Sequence, residues 1–374
     1  MLKKYSIVID ENIPIIDVIL SDYHHITKVS GREITNQLLK STDANCLICR
    51  SQTKVTQNLL EGTKINFVAT ATSGSDHIDT NYLTHKKITF NSAIGSNATS
   101  VAEYVIFSIL HWSKINQISL QNKRLGIIGF GNIGKRLANF AEQIGLIIIV
   151  NDPPLRKSGF SFPQNLSYCE IDDLFNSCDI ITNHVPLTKN CEFATANLIN
   201  SDLIAKIRNN SLFIHTSRGG IVDESALNEI ETERNISFVI DVWNSEPNFD
   251  SVLAQKCLIA TPHIAGYSFD GKLNGALMMM NALTLHTSVA YDLKLLNEAH
   301  SHDSKIAIEK LDKSELYDKL NERRAFLRDN EIFAQTFVTD SAGKAQMFDE
   351  IRRKYPVRRE LLISAFDELT ISQR

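Results

Sequence analysis

Three residues of different chemistry each follow an apolar run in the second half of the chain: Arg218 after SLFIHTS, Glu246 after SFVIDVW and His263 after LIATP. Oxidising a secondary alcohol beside a carboxylate requires a base for the hydroxyl proton, and a histidine titrates near neutral pH. Glu246 can hold that ring by its second nitrogen and stabilise the imidazolium, while Arg218 offers a planar fork for a substrate carboxylate or C2 oxygen. Taken singly, a histidine after a strand is commonly structural, and a lone Arg or Glu is commonly a surface charge. Their shared placement downstream of a glycine fingerprint is what points to hydride transfer on a hydroxy acid.

That fingerprint is GIIGFGNIG at 126–134, where Gly129, Gly131 and Gly134 form G-x-G-x-x-G between an apolar run and the helix-compatible KRLANFAEQI. Backbone amides at such a helix start approach a pyrophosphate only where no Cβ intervenes, and the helix dipole favours the negative charge. The next run, LIIIVND, ends at Asp152, 18 residues past Gly134. A carboxylate there accepts hydrogen bonds from both adenosine ribose hydroxyls and repels a 2'-phosphate, so NAD is expected over NADP.

These groups need a scaffold, and the apolar runs supply one. SIVID, CLICR, NFVAT and ITF alternate with helix-like stretches in the first hundred residues, and a stronger series runs from RLGIIGF to LIATP. Alternation of this kind predicts an α/β chain with doubly wound parallel sheets. SVAEYVIFSILHW at 100–112 reads as a buried helix joining two domains, with Ser100 and Glu103 at capping-box spacing. A return helix near Gly271 predicts a second crossing between them. Residues 301–374 hold 28 charged residues among 74, against 22% overall, which fits a solvated helical appendage or an oligomerisation domain.

Composition narrows the function. At 374 residues, two or three domains are expected, and a net charge of -4 with mixed signs gives no reason to expect nucleic acid or an anionic membrane. MLKKYSIVIDEN lacks the apolar core of a signal peptide, and the most apolar run, 145–150, is too short to span a bilayer. Six scattered cysteines suggest reduced thiols and a cytoplasmic setting. The C-x-x-C of Cys46 and Cys49 lies in a strand-like run and reads as buried thiols, so no metal is expected.

GIIGFGNIG, HTSRGGIVDESAL, VIDVWNSEPN and TPHIAGYS together resemble the D-isomer-specific 2-hydroxyacid dehydrogenases. The resemblance implies a Rossmann nucleotide domain inserted in a flavodoxin-like substrate domain, with Arg218 and Glu246 in the active site and His263 as proton donor or acceptor. It further implies NAD contacts at Gly129, Gly131, Asn132, Ile133, Gly134, Asp152, Thr216, Ser217, Asp241 and Gly266, and substrate contacts at Ser51, Thr72 and Tyr267. IDENIP, CRSQTKV, FVATATSGSDHID and FDEIRRKYPVRRE are similar to a branch of that family, which implies a phosphorylated 2-hydroxy acid as substrate. The same branch implies a C-terminal α+β domain that mediates homodimerisation. The expected boundaries are 1–98 with 266–285 for substrate, 99–265 for NAD and 286–374 for dimerisation. A phosphate also wants donors, and Arg50, Ser51, Thr72 and Ser73 lie at or just past strand ends of the first domain. Two rival readings stay open: a sibling acting on 3-phosphoglycerate or another 2-hydroxy acid, and an NAD-sensing binding protein that does no chemistry.

Overall fold

The computed structural model describes residues 4–230, 232–301 and 305–363; the last part of the charged C-terminal stretch, 364–374, lies outside the described residues. Its contacts divide the chain into two units, Met1–Asn97 with Ser268–Ser304, and Ala98–Tyr267 with Lys305–Arg374.

The first unit is built on a parallel sheet of five strands in the order β2-β1-β3-β4-β5, comprising β1 (Ser6–Asp10), β2 (His25–Val29), β3 (Cys46–Cys49), β4 (Phe67–Thr70) and β5 (Thr89–Ser92). Four of these are the apolar runs of the sequence. β2 is not, because HITKV sits at the edge of the sheet with none of its residues fully buried, so its composition carries no apolar signal. The return helix, Phe269–Thr287, starts at an N-cap where Ser268 Oγ accepts from the Gly271 amide at 2.9 Å. It buries Leu273, Ala276, Met279, Met280 and Leu283 in a core with Ile7, Ile9, Ile48 and Phe67. Cys46 and Cys49 are buried in β3, and burial pushes the Cys49 thiol up to about 12.

The second unit carries a parallel sheet of seven strands in the order β12-β11-β10-β9-β6-β7-β8. These are β6 (Arg124–Ile128), β7 (Ile147–Asn151), β8 (Ser167–Tyr168), β9 (Ile180–Asn183), β10 (Leu212–His215), β11 (Ser237–Ile240) and β12 (Ile259–Ala260). Winding reverses between β6 and β9, where a parallel sheet opens a crevice at its carboxyl edge. β9 and β10 are buried along their whole length, as continuous apolar runs require.

Two expectations change here. The joining helix spans Ala98–Asn116, so Ser100 and Glu103 lie inside it and form no capping box. Glu103 is fully buried; its Oε2 receives Arg324, and its Oε1 accepts the amides of Leu361 and Leu362 at 2.6 and 2.7 Å. The C-terminal segment, expected as α+β, is helical among the described residues, with one bridge between Ile306 and Leu362.

Nor is the described part of that segment wholly solvated. Leu316, Leu320 and Phe326 enter the core with Phe107 and Leu125, whereas Phe333 and Phe348 join Trp243 and Phe249 in a second core. Charged residues are frequent in it because only one stripe of each helix packs into these cores.

Glu103→Ala removes the partner of a wholly buried guanidinium and the acceptor of two buried amides. The expected cost is about 3–5 kcal/mol in urea unfolding; a loss below about 1 kcal/mol would contradict this assignment.

Candidate active site

Each glycine of the fingerprint has its own steric reason. Gly129 adopts φ +90, and a Cβ on Gly134 would lie 2.3 Å from the Gly129 carbonyl oxygen, so strand and helix pack only without it. A Cβ on Gly131 would meet nothing within 4 Å, which leaves open space in front of the helix Asn132–Gln143. No side chain caps that helix. Its first amides are thus available to a pyrophosphate, and the cradle fits the dinucleotide implied by the sequence. Asn132 is exposed beside it and Ile133 half-buried. Asp152 follows β7 and is fixed by two backbone donors, Phe130 at 2.7 Å and Leu155 at 3.0 Å, so the glycine loop and the carboxylate are held together.

β10, β11 and β12 deliver Arg218, Glu246 and His263 to the same carboxyl edge. His263 Nδ1 meets Glu246 Oε2 at 2.8 Å, while Glu246 Oε1 accepts the Trp243 amide at 3.0 Å. Burial alone would raise the Glu246 carboxyl, but His263, the Trp243 amide and the positive field of Arg352 outweigh it and hold it below its usual range. A carboxylate facing Nδ1 favours the tautomer with the proton on Nδ1, which leaves Nε2 as the acceptor. Nε2 has no hydrogen-bond partner among the described residues. His263 also sits at φ 58, an uncommon backbone conformation for a non-glycine residue and one that the surrounding bonds enforce.

Those bonds come from Asp241. Its backbone oxygen accepts the His263 amide at 2.7 Å, and its carboxylate accepts Thr261 Oγ1 at 2.6 Å and the amides of Ile264 and Ala265 at 2.7 and 3.0 Å. Expected as a cofactor contact, Asp241 has its carboxylate turned onto the loop that carries His263 and is 1% exposed. Gly266 and Tyr267 follow directly, and the Tyr267 carbonyl accepts from Arg324.

Arg218 is half-buried, with Nη1 on the Ser217 carbonyl at 2.7 Å. Ser217 donates to Asn183, and Thr216 lies 3.5 Å from His184 Nδ1. Burial drives the imidazoles of His184 and His215 down to about 3, so both are neutral. Sequence reasoning missed this pair, because each belongs to an apolar strand run. Nor did it flag Asn244, whose side chain ties Gly220 at 2.6 Å to the loop bearing Glu246.

In the first unit, Arg50 and Ser51 follow β3, and Thr72 and Ser73 follow β4. Thr72 Oγ1 pairs with Thr70 Oγ1 at 2.8 Å, and Ser73 Oγ accepts the Gly95 amide at 3.1 Å. Among the described residues no group of three or more His, Cys, Asp or Glu is arranged to hold a metal, and no helix is long and apolar enough to cross a membrane.

Two outcomes test this geometry. A Cβ on Gly219 would stand 2.1 Å from the Trp243 carbonyl oxygen, so Gly219→Ala must separate the loops of Arg218 and Glu246. A displacement of that size is expected to lower kcat/KM about 100-fold in steady-state assays; wild-type kinetics would contradict it. Because the Glu246 pKa is depressed in the folded chain, its stabilisation is complete above the unfolded value of 4.5 and is lost as pH falls through the folded value. Denaturant titrations of Glu246→Gln should show a shallower loss of stability with acid than wild type, and equal slopes would remove that linkage.

Comparison with known proteins agrees with this arrangement. A family model described as the NAD binding domain of D-isomer specific 2-hydroxyacid dehydrogenases matches residues 106–265. Erythronate-4-phosphate dehydrogenase of Hahella chejuensis is 36% identical over 370 residues, covering 98% of this chain and 94% of the relative. That of Pseudomonas fluorescens is 34% identical, covering 95% and 93%. Among solved structures, NAD-bound 3-phosphoglycerate dehydrogenase of Entamoeba histolytica superposes with a TM-score of 0.63 at 27% identity, over 76% of this chain and 96% of that one. The chain therefore belongs to the erythronate-4-phosphate dehydrogenases, within the NAD-dependent D-isomer-specific 2-hydroxyacid oxidoreductases.

Proposed function

We propose that this enzyme oxidises 4-phospho-D-erythronate at C2 to (R)-3-hydroxy-2-oxo-4-phosphooxybutanoate, in the synthesis of pyridoxal 5'-phosphate. The observation that carries the reading is the His263–Glu246 pair at 2.8 Å, on the same sheet edge as the glycine cradle, in a chain whose relatives match nearly end to end. Bound NAD supplies the hydride acceptor. His263 Nε2 takes the hydroxyl proton while Glu246 faces the imidazolium that forms, and Arg218 orients the carboxylate and C2 oxygen. Asp241 acts as a positioning residue that sets the backbone of His263. Gly129, Gly131, Asn132, Ile133 and Gly134 receive the pyrophosphate, Asp152 the ribose, and Thr216, Ser217 and Gly266 the nicotinamide end. Arg50, Ser51, Thr72 and Tyr267 contact substrate.

The enzyme is further proposed to work as a cytoplasmic homodimer joined through its C-terminal segment. Val338, Val357 and Ile363 there are 86%, 76% and 40% exposed. Sedimentation giving the mass of a single chain would refute the dimer.

The assay follows NADH absorbance with 4-phospho-D-erythronate, 3-phosphoglycerate and D-lactate, with a 2-oxo acid in a parallel run to recycle tightly held cofactor. NADH from the erythronate compound alone is expected; signal confined to another acid would move the substrate, and binding of NAD without any turnover would favour a sensor. His263→Ala should lower kcat by about 10²–10⁴-fold with NAD affinity kept, and unchanged turnover would remove the proton role. Asp152→Ala should relax discrimination against NADP, whereas an untouched preference would rule out the ribose contact.

A further inference from the structure

Arg352, in the last turn of the helix Ser341–Arg353, belongs to the motif FDEIRRKYPVRRE, whose other basic residues include Arg358, bound to Asp329 at 2.5 Å. Arg352 is placed differently. Its Nε donates to Tyr267 Oη at 3.2 Å, and its guanidinium carbon lies 5.8 Å from the Tyr267 ring centroid and 5.6 Å from that of Phe348. Phe348 is fully buried, so the turn that carries Arg352 is anchored in the core. Neither Nη group has a hydrogen-bond partner among the described residues, and Arg352 forms no ion pair with them. One edge of the fork is thus fixed and the other open, in a half-buried position whose positive field reaches Glu246 and Asp241.

A substrate with both a carboxylate and a phosphate meets two carboxylates at this sheet edge, and the phosphate alone carries about -1.5 to -2 charges. Without a cation between them, the repulsion opposes binding. An anchored guanidinium with two free donors suits three phosphate oxygens, and Arg218, just past β10, is the proposed partner of the carboxylate end. Resting on the substrate reading above, we infer that Arg352 grips the substrate phosphate and sets the preference for a phosphorylated over an unphosphorylated 2-hydroxy acid.

The test compares kcat/KM for 4-phospho-D-erythronate and D-erythronate in wild type, Arg352→Ala and Arg352→Lys, together with binding of inorganic phosphate to the NAD-loaded protein. The preference ratio should fall about 10- to 100-fold in Arg352→Ala, chiefly through KM, with partial recovery in Arg352→Lys, which keeps the charge but not the fork. Phosphate binding should weaken in parallel, and NAD affinity serves as the check on folding. A ratio that survives overturns the inference, whether both substrates lose rate together, as a purely structural role demands, or neither does. If D-erythronate turnover is too slow to measure, phosphate binding decides alone, and equal affinity in Arg352→Ala overturns it. Wild-type protein that makes no NADH from 4-phospho-D-erythronate fails the substrate reading itself, a result separate from any behaviour of the variants.

Discussion

The second unit depends on one buried carboxylate. Glu103, in the middle of an apolar helix, receives the Arg324 guanidinium and two amides of the chain's C-terminal segment. Arg324 passes the connection on, donating to Ser100 Oγ at 2.7 Å and to the Tyr267 carbonyl at 3.2 Å, while Ser100 donates to the Ala265 carbonyl at 2.8 Å. A buried ion pair of this kind stabilises little by itself, since desolvation offsets much of the Coulomb gain. What it does is tie three stretches distant in sequence, the helix of Glu103, the C-terminal segment and the loop after His263, to one another.

The same logic governs the catalytic edge. Asp241 and Glu246 are carboxylates a few residues apart on one loop, yet they do different work. Asp241 is buried and fully engaged, three of its acceptor contacts going to the strand end and turn that set His263 at a left-handed φ. Glu246 is partly exposed and faces the imidazole itself. One carboxylate places the ring and the other faces it, so the proposed proton transfer would need little reorganisation.

Much of this was legible beforehand. Parallel strands buried on both faces must be continuous apolar runs, so ten of the twelve strands stand out in the sequence; β2 and β8 do not, one being a polar edge and the other two residues long. Polar residues just after such runs fall at carboxyl ends, which is why Arg218, Glu246 and His263 could be grouped without coordinates. The capping box at Ser100 and Glu103 misled because spacing cannot tell a helix start from a helix interior whose carboxylate has a distant partner.

By itself, then, the sequence determined most of the strands and the glycine fingerprint and singled out Arg218, Glu246 and His263 as candidates, since each run is written in contiguous residues. Only the tertiary structure decided the partners of Glu103 and Asp241 and the seat of Arg352 against Tyr267. Glu103 and Arg324 are 221 residues apart, and Arg352 and Tyr267 are 85 apart. Local periodicity fixes which face of an element is apolar, but the partner of a buried charge is chosen by packing across the whole unit, where leaving that charge unpaired costs several kcal/mol.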